Sequence, residues 1–148
     1  MNNIKLYKTG ILLAFIAILL STPGCTKVDE DFIHDTNTIE QLILKPSHAG
    51  AEYRGEIHEF DKDGNEVFGT FEQQDVEGGY GLILFALSES LKNDVDLTNV
   101  FLRATVTYDE FITPSLSGKH DITGDGIIVK VTSGTGTTRQ YRIRGYYE

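Results

Sequence analysis

The chain has 148 residues, one cysteine, no tryptophan and a formal charge of −9. Its first 24 residues read as an export signal containing Lys5 and Lys8 and no acid, so the 124 residues from Cys25 onward hold 11 basic and 22 acidic side chains, a charge of −11. One cysteine excludes an intramolecular disulfide and a Cys-based zinc site. No apolar run is long enough for a resident spanning helix, and an acidic surface repels phosphate backbones, which argues against nucleic acid as a partner.

The N-terminus has three parts. Lys5 and Lys8 make a basic start, Ile11 to Leu20 (ILLAFIAILL) is a ten-residue apolar run, and Ser21-Thr22-Pro23-Gly24 precedes Cys25. Ten apolar residues suit a signal h-region and are too few to span a bilayer. The stretch before Cys25 resembles a bacterial lipobox, with Gly24 as the small residue and Pro23 as the departure. The resemblance implies that residues 1–24 are removed and that Cys25 carries the lipid. Thr26 to Asp31 (TKVDED) follows. Its Lys27, Asp29, Glu30 and Asp31 resemble the surface-export signal of Bacteroidota lipoproteins, which implies an outer-membrane, lipid-anchored protein facing the cell exterior. Residues 25–38 are too polar to fold alone and read as an acidic tether.

From Ile39 the pattern is period two. Strands are expected near 39–45, 52–60, 66–72, 80–87, 99–108, 126–132 and 139–147. Asp61-Lys62-Asp63-Gly64-Asn65 reads as a hairpin turn between the second and third, and Ser133 to Thr138 as another before the last. Tyr80 to Leu87 (YGLILFAL) is nearly all apolar and suits a central strand. In the closing hairpin Val129, Val131, Tyr141 and Ile143 are expected in the core, with Lys130, Arg142 and Arg144 on the solvent face. About seven short strands with regular turns mean an all-β sandwich occupying residues 39–148.

Asp96-Leu97-Thr98, Ala104-Thr105-Val106, Ser117-Gly118, Asp121-Ile122-Thr123, Val129-Lys130-Val131-Thr132-Ser133 and Tyr141-Arg142-Ile143 occur in that order. Together they resemble an immunoglobulin-like domain of unknown function found in surface lipoproteins of Bacteroidota. Those domains carry Asp-Phe-Thr before a Tyr-x-Val-Thr-Ala strand, then a glycine hairpin and a closing Tyr-x-Val strand. Here Ile122 replaces the Phe, Val129 the Tyr and Ser133 the Ala. The likeness covers roughly residues 80–147. It implies an immunoglobulin-like β-sandwich and brings no catalytic residues.

The chemistry-bearing residues are sparse. Asp121, Thr123, Asp125, Gly126 and Ile128 fit part of an EF-hand loop, but Thr132 stands where the bidentate Glu belongs and the flanks alternate like strands, so a turn is the better reading. Asp61, Asp63, Asn65 and Glu66 make a second acidic turn whose Gly64 has the wrong offset. His34, His48, His58 and His120 show no metal-ligand spacing, and no nucleophile elbow is present. No cofactor or metal is expected. Tyr146 and Tyr147 are candidate sugar-stacking residues, since a tyrosine face packs on sugar C–H groups while its hydroxyl stays wet.

The expectation is therefore a non-enzymatic, membrane-anchored surface lipoprotein serving as an interaction or accessory module, its partner at the cell surface a protein or a glycan. The alternative is a glycan-binding accessory lipoprotein of a polysaccharide-uptake system. A contiguous exposed row of Tyr and Phe on one face would favour the alternative.

Overall fold

A computed structural model describes residues 33–148, apart from Ala49 and Tyr108. Cys25, Lys27, Asp29, Glu30 and Asp31 lie outside the described residues. Ten strands form two sheets: β1 (Gln41–Pro46), β2 (Tyr53–Arg54), β3 (Glu56–Phe60), β4 (Glu66–Val67), β5 (Tyr80–Leu87), β6 (Val100–Thr105), β7 (Phe111–Thr113), β8 (Lys119–His120), β9 (Ile127–Thr132) and β10 (Thr138–Tyr147). One sheet has the order β2-β1-β6-β8 and the other β4-β3-β5-β10-β9-β7. Every pairing is antiparallel except β5 with β10. All seven expected spans contain a strand. The span 52–60 is divided at Gly55, and β7 and β8 are additional pieces of three and two residues.

The architecture is an all-β, immunoglobulin-like sandwich. Strands β5 to β10 contribute to both layers, with β5-β10-β9-β7 in one sheet and β6-β8 in the other. These are the residues that carry the family resemblance. The N-terminal strands extend both layers: β1 and β2 add to β6, and β3 and β4 add to β5. The core lies between the layers and follows the alternation. Leu42, Leu44, Val100 and Leu102 face it from one sheet; Ile83, Phe85, Val129, Val131, Tyr141 and Ile143 face it from the other. Lys130 and Arg144 are exposed and Arg142 is half-buried on the opposite face, as the period of two requires.

The two Asp-x-Thr motifs form one device. Asp96 accepts hydrogen bonds from the Thr98 N–H (3.0 Å) and hydroxyl (2.7 Å), and Asp121 does the same with Thr123 (2.9 and 2.7 Å). The intervening apolar residues, Leu97 and Ile122, turn inward and are buried. The Ile122 N–H donates to the Leu97 carbonyl, and the Gly145 N–H to the Ile122 carbonyl. A Cβ at Gly145 would come within 2.8 Å of Ile122 and 2.9 Å of Leu97, so the two plugs need a bare backbone on β10. They seal one end of the sandwich.

Residues 34–37, expected as the tail of the tether, are stitched to the domain. The His34 N–H donates to Asp109, the Asn37 side chain pairs with Thr137 and Gln73, and the Thr135 N–H donates to the His34 carbonyl. All four sheet edges (β2, β8, β4 and β7) are two or three residues long. Such short edges offer little backbone for pairing with another chain. Among the described residues, no helix is long and apolar enough to cross a membrane.

Candidate functional site

Arg139 and Glu59 sit on the core-facing phase of β10 and β3 and are 2% and 4% exposed. The Arg139 Nε donates to Glu59 Oε2 at 2.8 Å, and its Nη2 lies 2.6 Å from the same oxygen. The remaining guanidinium donors reach the carbonyls of Val76, Phe60 (2.9 Å) and Tyr80 (2.7 Å). The Tyr141 hydroxyl donates to Glu59 Oε1 at 2.5 Å and accepts from the Ile39 N–H at 3.1 Å. Burial pushes the Glu59 carboxyl above its usual range, with the Tyr141 hydrogen bond and the Arg139 charge pulling the other way. The Tyr141 phenol is raised well above its usual range, by burial first and by the Glu59 charge second. Each of the three heads is committed to the protein itself. The cluster ties β3, β10, the 73–80 segment and the lead into β1 together, which is a scaffolding task.

The acidic turns are likewise self-satisfied. Asp61 accepts from the Asn65 side-chain amide (3.0 Å) and from the N–H groups of Asn65 (2.8 Å) and Asp63 (2.9 Å), and these bonds, the amide's foremost, hold its carboxyl below the usual range. Thr123 does the same for Asp121, and Thr98 for Asp96. Among the described residues, no three His, Cys, Asp or Glu side chains gather as a metal site.

The outward face of the six-stranded sheet is different. The phase of β5 that points away from the core is Tyr80, Leu82, Leu84 and Ala86; among the described residues no third layer covers it, and Tyr80 and Ala86 are exposed while Leu82 and Leu84 are half-buried. The expectation from YGLILFAL was a strand apolar because it is central. β5 is central in its sheet, yet only Gly81, Ile83, Phe85 and Leu87 reach the core. Phe60 stacks on Tyr80 with ring centroids 4.7 Å apart, and Ile128 on β9 is 47% exposed.

Charge is sorted across this apolar column. Register places Glu56 beside Leu84, with Arg144 on its other side. His58 and Arg142 flank Leu82 in the same way, and the row through Tyr80 runs Glu66, Phe60, Tyr80, Gln140, Lys130. The β3–β4 side therefore presents Glu56 and Glu66, and the β10–β9 side Arg142, Arg144 and Lys130. His58 Nδ1 lies 2.6 Å from Glu66, fixing the acidic side, while Arg142 donates to the Asp125 carbonyl at 2.8 Å.

The aromatic residues form a short cluster and not a continuous row: Phe60 stacks on Tyr80, and Phe68, 78% exposed, directly follows β4. Tyr146 is 41% exposed on this face, six residues along from the level of Tyr80, and Phe111 lies at the far edge on β7. Phe101 is on the other sheet, beneath the Lys119 ammonium. Tyr147 turns to the opposite side of β10 from Tyr146. It packs against the core, its hydroxyl donates to the Val95 carbonyl, and Lys92 lies over its ring. Structure thus separates the two tyrosines singled out as sugar contacts. Sequence reasoning missed Glu59 and Arg139, although both share the phase of buried neighbours. It also passed over the outward half of β5.

No protein-family profile matches the chain. No curated protein matches it either. Among solved structures it is similar to a presumed secreted protein from Bacteroides fragilis, with 12% identity over 77% of this chain and 97% of that one and a TM-score of 0.40. A likeness of that strength carries no functional argument.

Proposed function

We propose that this chain is a lipid-anchored surface lipoprotein whose immunoglobulin-like sandwich is a non-enzymatic interaction module. The observation that carries this reading is the outward apolar column of β5, half-buried at Leu82 and Leu84, exposed at Tyr80 and Ala86 and without a third layer among the described residues, set between an acidic and a basic flank. Apolar surface left in water without a structural need marks a docking surface more often than scattered hydrophobic residues do. The buried ionisable cluster serves the scaffold, and the short edges turn association away from strand addition and toward the sheet face. Tyr147, one of the two expected sugar contacts, packs against the core, which speaks for this reading over glycan stacking.

The test has two arms in the native host. Cys25→Ser is expected to leave the domain folded and remove it from the membrane fraction, since no other cysteine is available to take a lipid. Full retention in that fraction overturns the anchor. A photo-crosslinking side chain at Tyr80 is expected to yield adducts on intact cells, and one at Phe101, on the other sheet, is not. Equal yields at the two positions, or none at Tyr80, overturn the interaction face.

A further inference from the structure

We infer that the partner of this face is a second copy of the same chain, packed face to face about a two-fold axis running along β5. The inference rests on the interaction-module reading and adds the identity of the partner. The two flanks of the β5 column carry opposite charge. A half-turn about an axis parallel to β5 exchanges the two sides of the sheet. It sets β3 against β10 of the second copy, β4 against β9, and β5 against itself.

Rows are preserved by that rotation. Glu56 then meets Arg144 of the other copy, and Glu66 meets Lys130, each pair occurring twice by symmetry. Leu82, Leu84 and Ala86 meet their own counterparts and are withdrawn from water. His58, held by Glu66, meets Arg142 in the one row without opposite charges. An axis perpendicular to the strands would lay acid on acid and base on base, so the charge pattern selects one geometry. Like charges juxtaposed across an interface are costly, which is what makes such a pattern selective.

The face is of modest size: the strands of the six-stranded sheet cover about 540 Å² in plan, less than the roughly 800 Å² per partner of a standard interface. The apolar centre and charged flanks match the core-and-rim pattern of such contacts.

Cysteine crosslinking on intact cells tests this with the full chain, whose only native cysteine is Cys25. Residues on the axis face themselves, so Leu84→Cys and, independently, Ala86→Cys are expected to give a reducible band at twice the chain mass under mild oxidation. Ile128→Cys, two strands from the axis, is not. Adding Arg144→Glu to Leu84→Cys is expected to reduce the band at least tenfold, and adding Glu56→Arg as well is expected to restore it. Absence of the doubled band from both β5 variants overturns the inference, as do an equal band from Ile128→Cys and a charge swap that fails to restore. A reducible band of some other mass means a different protein docks here; it overturns the second copy and leaves the interaction module standing. No band of any mass, together with no photo-adduct at Tyr80, overturns both.

Discussion

Gly81 lies directly opposite Tyr141 in the parallel β5–β10 pair, and the Tyr141 ring occupies the space that a side chain at position 81 would need. Glu59 stands on the far side of Gly81 in the same row. The bare glycine lets the phenol cross β5 and deliver its hydroxyl to the Glu59 carboxylate.

Gly81→Ala is therefore expected to destabilise the domain by about 3 kcal/mol, the upper end for overpacking, because the ring is pinned by two hydrogen bonds and has nowhere to go. Tyr141→Ala should cost about 3–5 kcal/mol through the cavity it leaves. Tyr141→Phe should cost about 1–3 kcal/mol, since the Ile39 N–H and a Glu59 oxygen lose their partner. Urea melts of the three variants, with the slope unchanged, check the order.

Arg139 and Glu59 should behave as a unit. Arg139→Met leaves a carboxylate buried without its cation and three carbonyls without a donor, and about 3–5 kcal/mol is the expected loss. Combining it with Glu59→Leu removes both charges, so the double variant should be more stable than Arg139→Met alone. A double-mutant cycle by denaturant melting reads the coupling, and additive losses would contradict the pairing described above.

Acid should loosen the plugged end of the sandwich. The Thr98 and Thr123 hydrogen bonds hold the Asp96 and Asp121 carboxyls below their usual 3.8. A carboxyl lowered in the folded state contributes stability that is fully present above the unfolded value and is lost as pH falls from 3.8 through the folded value. Asp96→Asn and Asp121→Asn keep an oxygen acceptor and remove the titration. The double variant should show a flatter fall in stability below pH 4 than the unsubstituted protein, measured by thermal melts across pH.

The two phases of β10 should differ sharply. Ile143→Ala, in the core, is expected to cost about 2–5 kcal/mol. Arg142→Ala, on the outward face, should change stability by no more than about 0.5 kcal/mol, as its bond to the Asp125 carbonyl is solvent-exposed. Equal losses in denaturant melts would place the strand in the wrong phase.

Most of the sandwich was legible because alternation is a direct print of which face meets the core. Val129, Val131, Tyr141 and Ile143 could be placed inside on that basis alone. β7 and β8 were not legible, since two or three residues are too few to show a period. Arg139 was legible in principle: counting back by two from Tyr141 reaches it, and a charge on that phase signals a buried partner. Its partner Glu59 lies 80 residues away, and no local pattern joins them. The outward half of β5 was misleading for a different reason. An apolar run says that both faces of a strand avoid water, and it does not say whether the second cover comes from the same chain.

β10 is the last strand in chain order, yet it stands inside its sheet, with β4-β3-β5 on one side and β9-β7 on the other. Tyr80 waits for Gln140 before that side of β5 has any neighbour, a contact spanning positions 80 to 140. Contacts so far apart close slowly. β4, β3 and β5 therefore stay apart from β9 and β7 until residues 138–147 enter between them and lock the two halves of the sheet together.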